Sequence, residues 1–142
     1  MVGVKTYVVG IDGSDTAAAA AARAGELALA TGGKVHVVCA FTRREATTIQ
    51  VGSDSFVISS LTTAEQVAEQ QAAAFRSQGI DAVAVAVDDK PAAALLSEAE
   101  RVRAAVIVVG NRRMQGVGRL LGSVPNEVAH NAPCDVLIVK TV

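Results

Sequence analysis

Five short, mostly apolar runs recur along this chain: Tyr7–Ile11, Val35–Ala40, Ile80–Val87, Ala105–Val109 and Asp135–Val139. Runs this short and this continuous suit strands covered on both faces, as in a parallel sheet, because a half-exposed strand would alternate apolar with polar residues. Helical segments separate them. The first, from about Thr16 to Ala30, contains six consecutive alanines at 17–22, a residue of high helix propensity that lets a helix sit close to a sheet. Asp12-Gly-Ser-Asp15 before it reads as a turn whose Ser14 or Asp15 caps the first turn, and Gly32-Gly33 stops it. Strand and helix alternate in this way to the C-terminus. The pattern predicts an α/β fold with one parallel sheet, helices on both faces and right-handed crossovers.

The remaining segments are read on the same signals. Phe41 to Leu61, rich in Ser and Thr, is expected to be a long loop, of the kind that serves as a lid or binding segment. Thr63-Ala-Glu-Gln66 fits a capping box, with a helix running to Gly79. Asp88-Asp-Lys-Pro91 is a turn that opens a third helix from Ala92 to about Arg101, with Pro91 suited to its start. A last helix from about Val124 to Asn131 ends before Pro133. With no linker and no repeat, residues 1–142 are expected to form one domain.

Composition removes several functions. The chain has 142 residues and a formal net charge of −1, too near zero for a dedicated duplex nucleic-acid binder. It has four aromatics, Tyr7, Phe41, Phe56 and Phe75, which offer little on which bases could stack. No apolar run approaches the roughly 20 residues of a membrane helix, and the N-terminus lacks a signal-peptide layout. Cys39 and Cys134 form no CxxC, and with only two histidines there is no zinc or redox framework. Both cysteines are expected to be small buried core groups, and His130 to sit favourably at a helix end. These features point to a cytoplasmic protein that binds neither membrane nor nucleic acid. Charge is uneven: residues 1–100 hold seven basic and twelve acidic side chains, residues 101–142 six basic and two acidic. A basic C-terminal third suits an anionic ligand, and equally an ordinary solvated surface.

Two segments carry chemistry. After the fourth strand comes a Gly-rich stretch with glycines 110, 116, 118 and 122 and arginines 112, 113 and 119. It runs into a helix at Gly122-Ser123, with Ser123 as the expected N-cap. A helix N-terminus offers free N–H groups and a positive dipole end, which suits a phosphate. The stretch is neither a Walker loop, having no Gly-Lys-Ser/Thr, nor GxGxxG. The second segment is Asp12-Gly-Ser-Asp15 at the end of strand one. In open parallel sheets a ligand sits beyond the carboxyl ends of strands where their order reverses. If strands one and four are neighbours there, Asp12 and the Gly-rich stretch face one crevice, and Asp12 can hold a ribose hydroxyl or magnesium. Otherwise it is a helix cap.

Val8-Val-Gly-Ile-Asp-Gly-Ser14, Val108-Val-Gly-Asn111, Gly122-Ser-Val124 and Ala132-Pro-Cys-Asp-Val-Leu-Ile-Val139 together resemble the universal stress protein family, in order and over the whole chain. The resemblance implies a single open, five-stranded, Rossmann-like sheet with strand order 3-2-1-4-5. The nucleotide-binding branch of that family carries a glycine, two residues, a second glycine, nine residues and then Gly-Ser or Gly-Thr. Gly110 matches the first glycine and Gly122-Ser123 the final pair, but Arg113 replaces the second glycine and the following spacing is one residue short. By this carry-over the adenine nucleotide contacts are Ile11, Asp12, Ala40, Val109, Gly110, Asn111, Arg112, Arg113, Gly122, Ser123, Val124 and Pro125. Ala40 and Val109 would line the adenine slot, and Asp12 would meet ribose or magnesium. The expected ligand is ATP with magnesium, held by a stress-response homodimer paired through the last strand. The alternatives are a binder of AMP or cyclic AMP, a slow ATPase without a positioned base, and a dimeric interaction protein that binds no nucleotide.

Overall fold

The computed structural model describes residues 3–43, 46–51, 54–111 and 121–140. Arg112 and Arg113 lie outside the described residues, as do Gly116, Gly118 and Arg119. In chain order the elements are β1 (Thr6–Gly10), α1 (Asp15–Thr31), β2 (Lys34–Phe41), β3 (Ala46–Val51), β4 (Asp54–Ser59), α2 (Ser60–Ser77), β5 (Asp81–Asp88), α3 (Pro91–Val102), β6 (Val106–Asn111), α4 (Ser123–Asn131) and β7 (Asp135–Lys140). Five strands form one parallel sheet in the order β5-β2-β1-β6-β7. Counting those five alone, the order is the expected 3-2-1-4-5. β1 is central, with β2 at its side in the register Thr6↔Lys34 and β6 on the other in the register Tyr7↔Val106.

Each side of the sheet is buried by a helix pair. Val9, Val35, Val37, Cys39 and Val108 pack with alanines 20, 21, 24 and 28 of α1 and with Ala68, Ala72 and Phe75 of α2. Val8, Val38, Ile107 and Val109 pack with Ala92, Ala94, Leu95 and Ala99 of α3 and with Val128 of α4. Alanine-rich contact faces compensate for the scarcity of aromatics: short side chains bring the helix backbone close to the sheet. Cys39 is buried in β2 as expected, whereas Cys134 lies just before β7 and is half-buried; both thiols are free. Among the described residues no helix is long and apolar enough to cross a membrane.

The long loop expected over residues 41–61 is instead largely an antiparallel hairpin, β3 with β4, in the register Thr48↔Val57 and Ile49↔Phe56. Its Thr, Ile, Val and Phe content favours a pleated strand as strongly as its Ser and Thr suggest a loop. The hairpin forms a sheet of its own. α2 follows directly, starting at Ser60 rather than at the capping box. The Ser60 hydroxyl donates to the Thr42 carbonyl at 2.7 Å, which fastens the start of α2 to the end of β2 and leaves Thr63 inside the helix.

A nucleotide-sized cavity at the strand ends

β1 and β6 are neighbours, and the next helices in the chain, α1 and α4, belong to opposite layers of the sheet, with a crevice at the strand ends where strand order reverses. A cavity of about 290 Å³ fills it. Four segments supply its walls: Gly10, Ile11, Asp12, Ser14, Thr16 and Ala17 from the end of β1 into α1, Val38 and Ala40 of β2, Val109 to Asn111 of β6, and Gly122 to Pro125 at the start of α4. Pro91 and Leu95 of α3 complete it. Ile11, Asp12, Ala40, Val109, Gly110, Asn111, Gly122, Ser123, Val124 and Pro125, all singled out from the sequence, meet here. The α3 wall, Gly10, Val38 and the polar side chains of Ser14 and Thr16 were not foreseen. Leu95 looked like any other residue of an apolar helix face. The signal for it was Gly10, whose missing side chain makes room: a Cβ there would lie 3.2 Å from both Leu95 methyls.

The β1–α1 turn is held by its own side chains. Gly13 has φ of +84°, a conformation that residues with a Cβ rarely adopt. The Asp12 Oδ1 accepts the Ser14 N–H at 2.9 Å, and the Ser14 hydroxyl accepts the Ala17 N–H at 3.2 Å, so Ser14 is the cap of α1. The Ile11 N–H donates to the Val38 carbonyl at 2.8 Å and ties the turn to β2.

The start of α4 is arranged differently. Its N-cap is Gly122, not Ser123, which is the first helical residue; Gly122 accepts the Asn126 N–H through its backbone carbonyl. No side chain bonds the first turn from the cap position. The Oδ1 of Asn111, a residue 1% exposed, accepts the Gly122 N–H at 2.9 Å and ties the start of α4 to the end of β6. Of the two helices that begin at the cavity from β1 and β6, α1 is therefore capped by its own serine and α4 is not.

Asp12 is the one ionisable side chain among the described lining residues. Burial pushes the Cys39 thiol above its ordinary range, and the Asp12 charge pushes it further in the same direction. No group of three or more His, Cys, Asp or Glu side chains is placed to hold a metal among the described residues. A lone carboxylate fits magnesium only where ligand phosphates supply further oxygens.

The universal stress protein family model matches residues 3–140. A universal stress protein of Thermus aquaticus is 35% identical over 138 residues, covering 96% of this chain and 98% of that protein. One from Mycobacterium tuberculosis is 32% identical over 146 residues, covering 96% and 97%. The crystal structure of a universal stress protein in complex with cAMP superposes with a TM-score of 0.77 at 31% identity, covering 99% of this chain and all of that one. Fold, strand order and sequence thus agree over nearly the full length, and the chain belongs to the universal stress protein family.

Proposed function

We propose that this protein binds an adenine nucleotide in the cavity between β1 and β6. One observation carries the reading: the N-terminus of α4, with no side-chain cap, opens into the cavity across from the Asp12 turn. That geometry supports a phosphate at the helix start, where N–H groups and the helix dipole favour an anion. The base lies between Ala40 and Val109 with Pro91 and Leu95 behind it, and Asp12 meets a ribose hydroxyl.

The described residues enclose a volume of about 290 Å³, close to the lower bound of roughly 300 Å³ typical of ligand sites. A relative at 31% identity holds cAMP, which supports cyclic AMP or AMP as the ligand. ATP with magnesium is the second reading, favoured by the carboxylate of Asp12 at the cavity, which would share the ion with the phosphates. In either case the protein reports or stores a cellular state by binding rather than by turnover. The partner is a second copy through β7, an edge strand whose Val136, Leu137 and Ile138 are half-buried and whose outer side is open to pairing.

A thermal-shift panel of cyclic AMP, AMP and ATP, each with and without magnesium, tests this. Stabilisation by the monophosphates without magnesium supports the first reading, and stabilisation by ATP only with magnesium supports the second. No shift with any of them overturns nucleotide binding and leaves the interaction-protein reading. Sedimentation velocity tests the dimer, and a monomer at high concentration overturns it.

A further inference from the structure

Beneath α3 lies a group of charges that the cavity does not contact. His36 of β2 is 8% exposed and Glu98 of α3 is 3% exposed, and the His36 Nδ1 lies 2.9 Å from the Glu98 Oε2. Arg101, one turn further along α3, donates twice to the same carboxylate: Nε to Oε1 and Nη2 to Oε2, both at 2.7 Å. The register neighbours of His36 are Val8 in β1 and Val83 in β5, and the surrounding layer is made of Val38, Ala94, Leu95 and Ala99. A buried polar pair is often no more stabilising than apolar residues of the same volume. Hydrogen bonds do, however, fix one relative placement of two elements, where apolar contacts allow sliding.

Placement matters at this point of the fold. Pro91, Leu95 and Glu98 are spaced four and three residues apart, so they form one stripe along α3. His36, Val38 and Ala40 alternate along β2 and share one side of the sheet. The cavity takes Pro91 and Leu95 from the first row and Val38 and Ala40 from the second. The next member of each row is Glu98 and His36, and these two are bonded to each other. The rows are therefore pinned one step behind the cavity.

We propose that His36 and Glu98, with Arg101 holding the carboxylate, are positioning residues for the α3 wall. They set how far Pro91 and Leu95 stand from Val38 and Ala40, and so the width of the slot that takes the flat part of the ligand. The ligand half of this statement rests on the nucleotide reading above; the placement of α3 does not.

The test uses the full chain and two double variants. H36L/E98M replaces the pair with apolar side chains of similar size and leaves Arg101, whose side chain is 64% exposed, in solvent. H36Q/E98Q keeps a hydrogen bond between the two elements without the Glu98 charge. Urea unfolding, calorimetric titration with AMP and cyclic AMP, and hydrogen exchange at the Leu95 and Leu96 amides are measured on each. H36L/E98M is expected to match or exceed wild-type stability yet bind about tenfold more weakly. Its Leu95 and Leu96 amides are expected to exchange about tenfold faster than in wild type, with Ala24 of α1 unchanged. H36Q/E98Q is expected to recover affinity to within about threefold. Wild-type affinity and exchange in H36L/E98M would reduce the pair to a packing element and overturn the proposal. If wild-type protein binds neither nucleotide, the functional reading fails instead, and the exchange rates at Leu95 and Leu96 decide the placement on their own.

Discussion

The Oδ1 of Asn111 accepts the backbone N–H of Gly122 at 2.9 Å, joining the last residue of β6 to the cap of α4 across eleven positions of sequence. The bond is buried, and it sets where the start of α4 stands against the sheet. Asn111→Ala removes the acceptor and leaves a buried N–H, which is expected to cost about 1–3 kcal/mol in urea unfolding. Nucleotide affinity should fall along with it, because the helix start is no longer held. A loss under about 0.5 kcal/mol would mean that water replaces the side chain at no cost.

Gly122→Val separates fold from ligand. The residue has φ of −64° and ψ of 166°, which any side chain adopts, and a Cβ would stand 3.4 Å from the Asn111 Oδ1, an ordinary contact. Circular dichroism should therefore show a folded protein. Nucleotide affinity should fall about tenfold or more, since the added methyls lie where a phosphate approaches the helix. A folded variant with wild-type affinity would move the phosphate away from α4.

Gly10 and Leu95 are expected to behave as a pair. Gly10→Ala presses a methyl against the two Leu95 methyls 3.2 Å away and should cost about 1–3 kcal/mol. Leu95→Ala alone should cost about 2–5 kcal/mol by leaving a hole. The double variant should be more stable than the sum of the two losses implies, because the new methyl enters the vacated space. Strict additivity would show that Leu95 does not stand over Gly10 in solution.

Acid stability should register Glu98. Burial would raise its carboxyl group, but the hydrogen bonds from Arg101 and from His36, together with their charges, outweigh that and hold it below its ordinary value of 4.5. A group lowered in the folded state contributes stability that is present above the unfolded value and is lost as pH falls through the folded one. Wild-type stability should therefore drop more steeply below about pH 4.5 than that of Glu98→Gln, which is the weaker protein at neutral pH. Parallel acid limbs in a urea series at stepped pH would show that the carboxylate carries no such share.

Asp12→Ala has two readouts. If the carboxylate helps to hold magnesium, calorimetry with and without EDTA should show a smaller metal effect on ATP binding in the variant. Separately, the Asp12 charge raises the Cys39 thiol, so its removal should speed alkylation of Cys39 in the folded protein. An unchanged metal effect leaves Asp12 as a cap for the Ser14 N–H, and an unchanged alkylation rate shows that its charge does not reach the thiol.

Much of this architecture is legible in the sequence because it rests on local signals. Val8 and Val9 stand in a continuous apolar run, Ser14 precedes an alanine helix, and Gly110 and Gly122-Ser123 bracket a basic segment. The sheet order followed from a family resemblance, not from residue patterns. Other features failed for physical reasons. Residues 46–59 mix Ser and Thr with Ile, Val and Phe, and composition alone does not decide between loop and hairpin there. Ser123 is a better cap residue than Gly122 by propensity, but the bond from Asn111 ties Gly122 to the end of β6, and the cap lies there. The His36–Glu98 contact joins residues 62 positions apart, and its partners are chosen by how α3 lies on β2, which no local pattern encodes.

The central strand closes the sheet over two very different spans. β1 meets β2 at Thr6↔Lys34, but it meets β6 at Tyr7↔Val106, a closure of roughly a hundred residues whose entropy must be overcome before any contact rewards it. As the chain emerges from the ribosome, the β5-β2-β1 half is complete while the other edge of β1 is still bare, and an unpaired central edge invites mispairing. The cavity does not exist at that stage. It forms only when β6 docks and brings Asn111, and then α4, against the turn after β1. A nucleotide held there, as proposed above, would bind only chains that have finished closing, and so would stabilise the closed sheet alone.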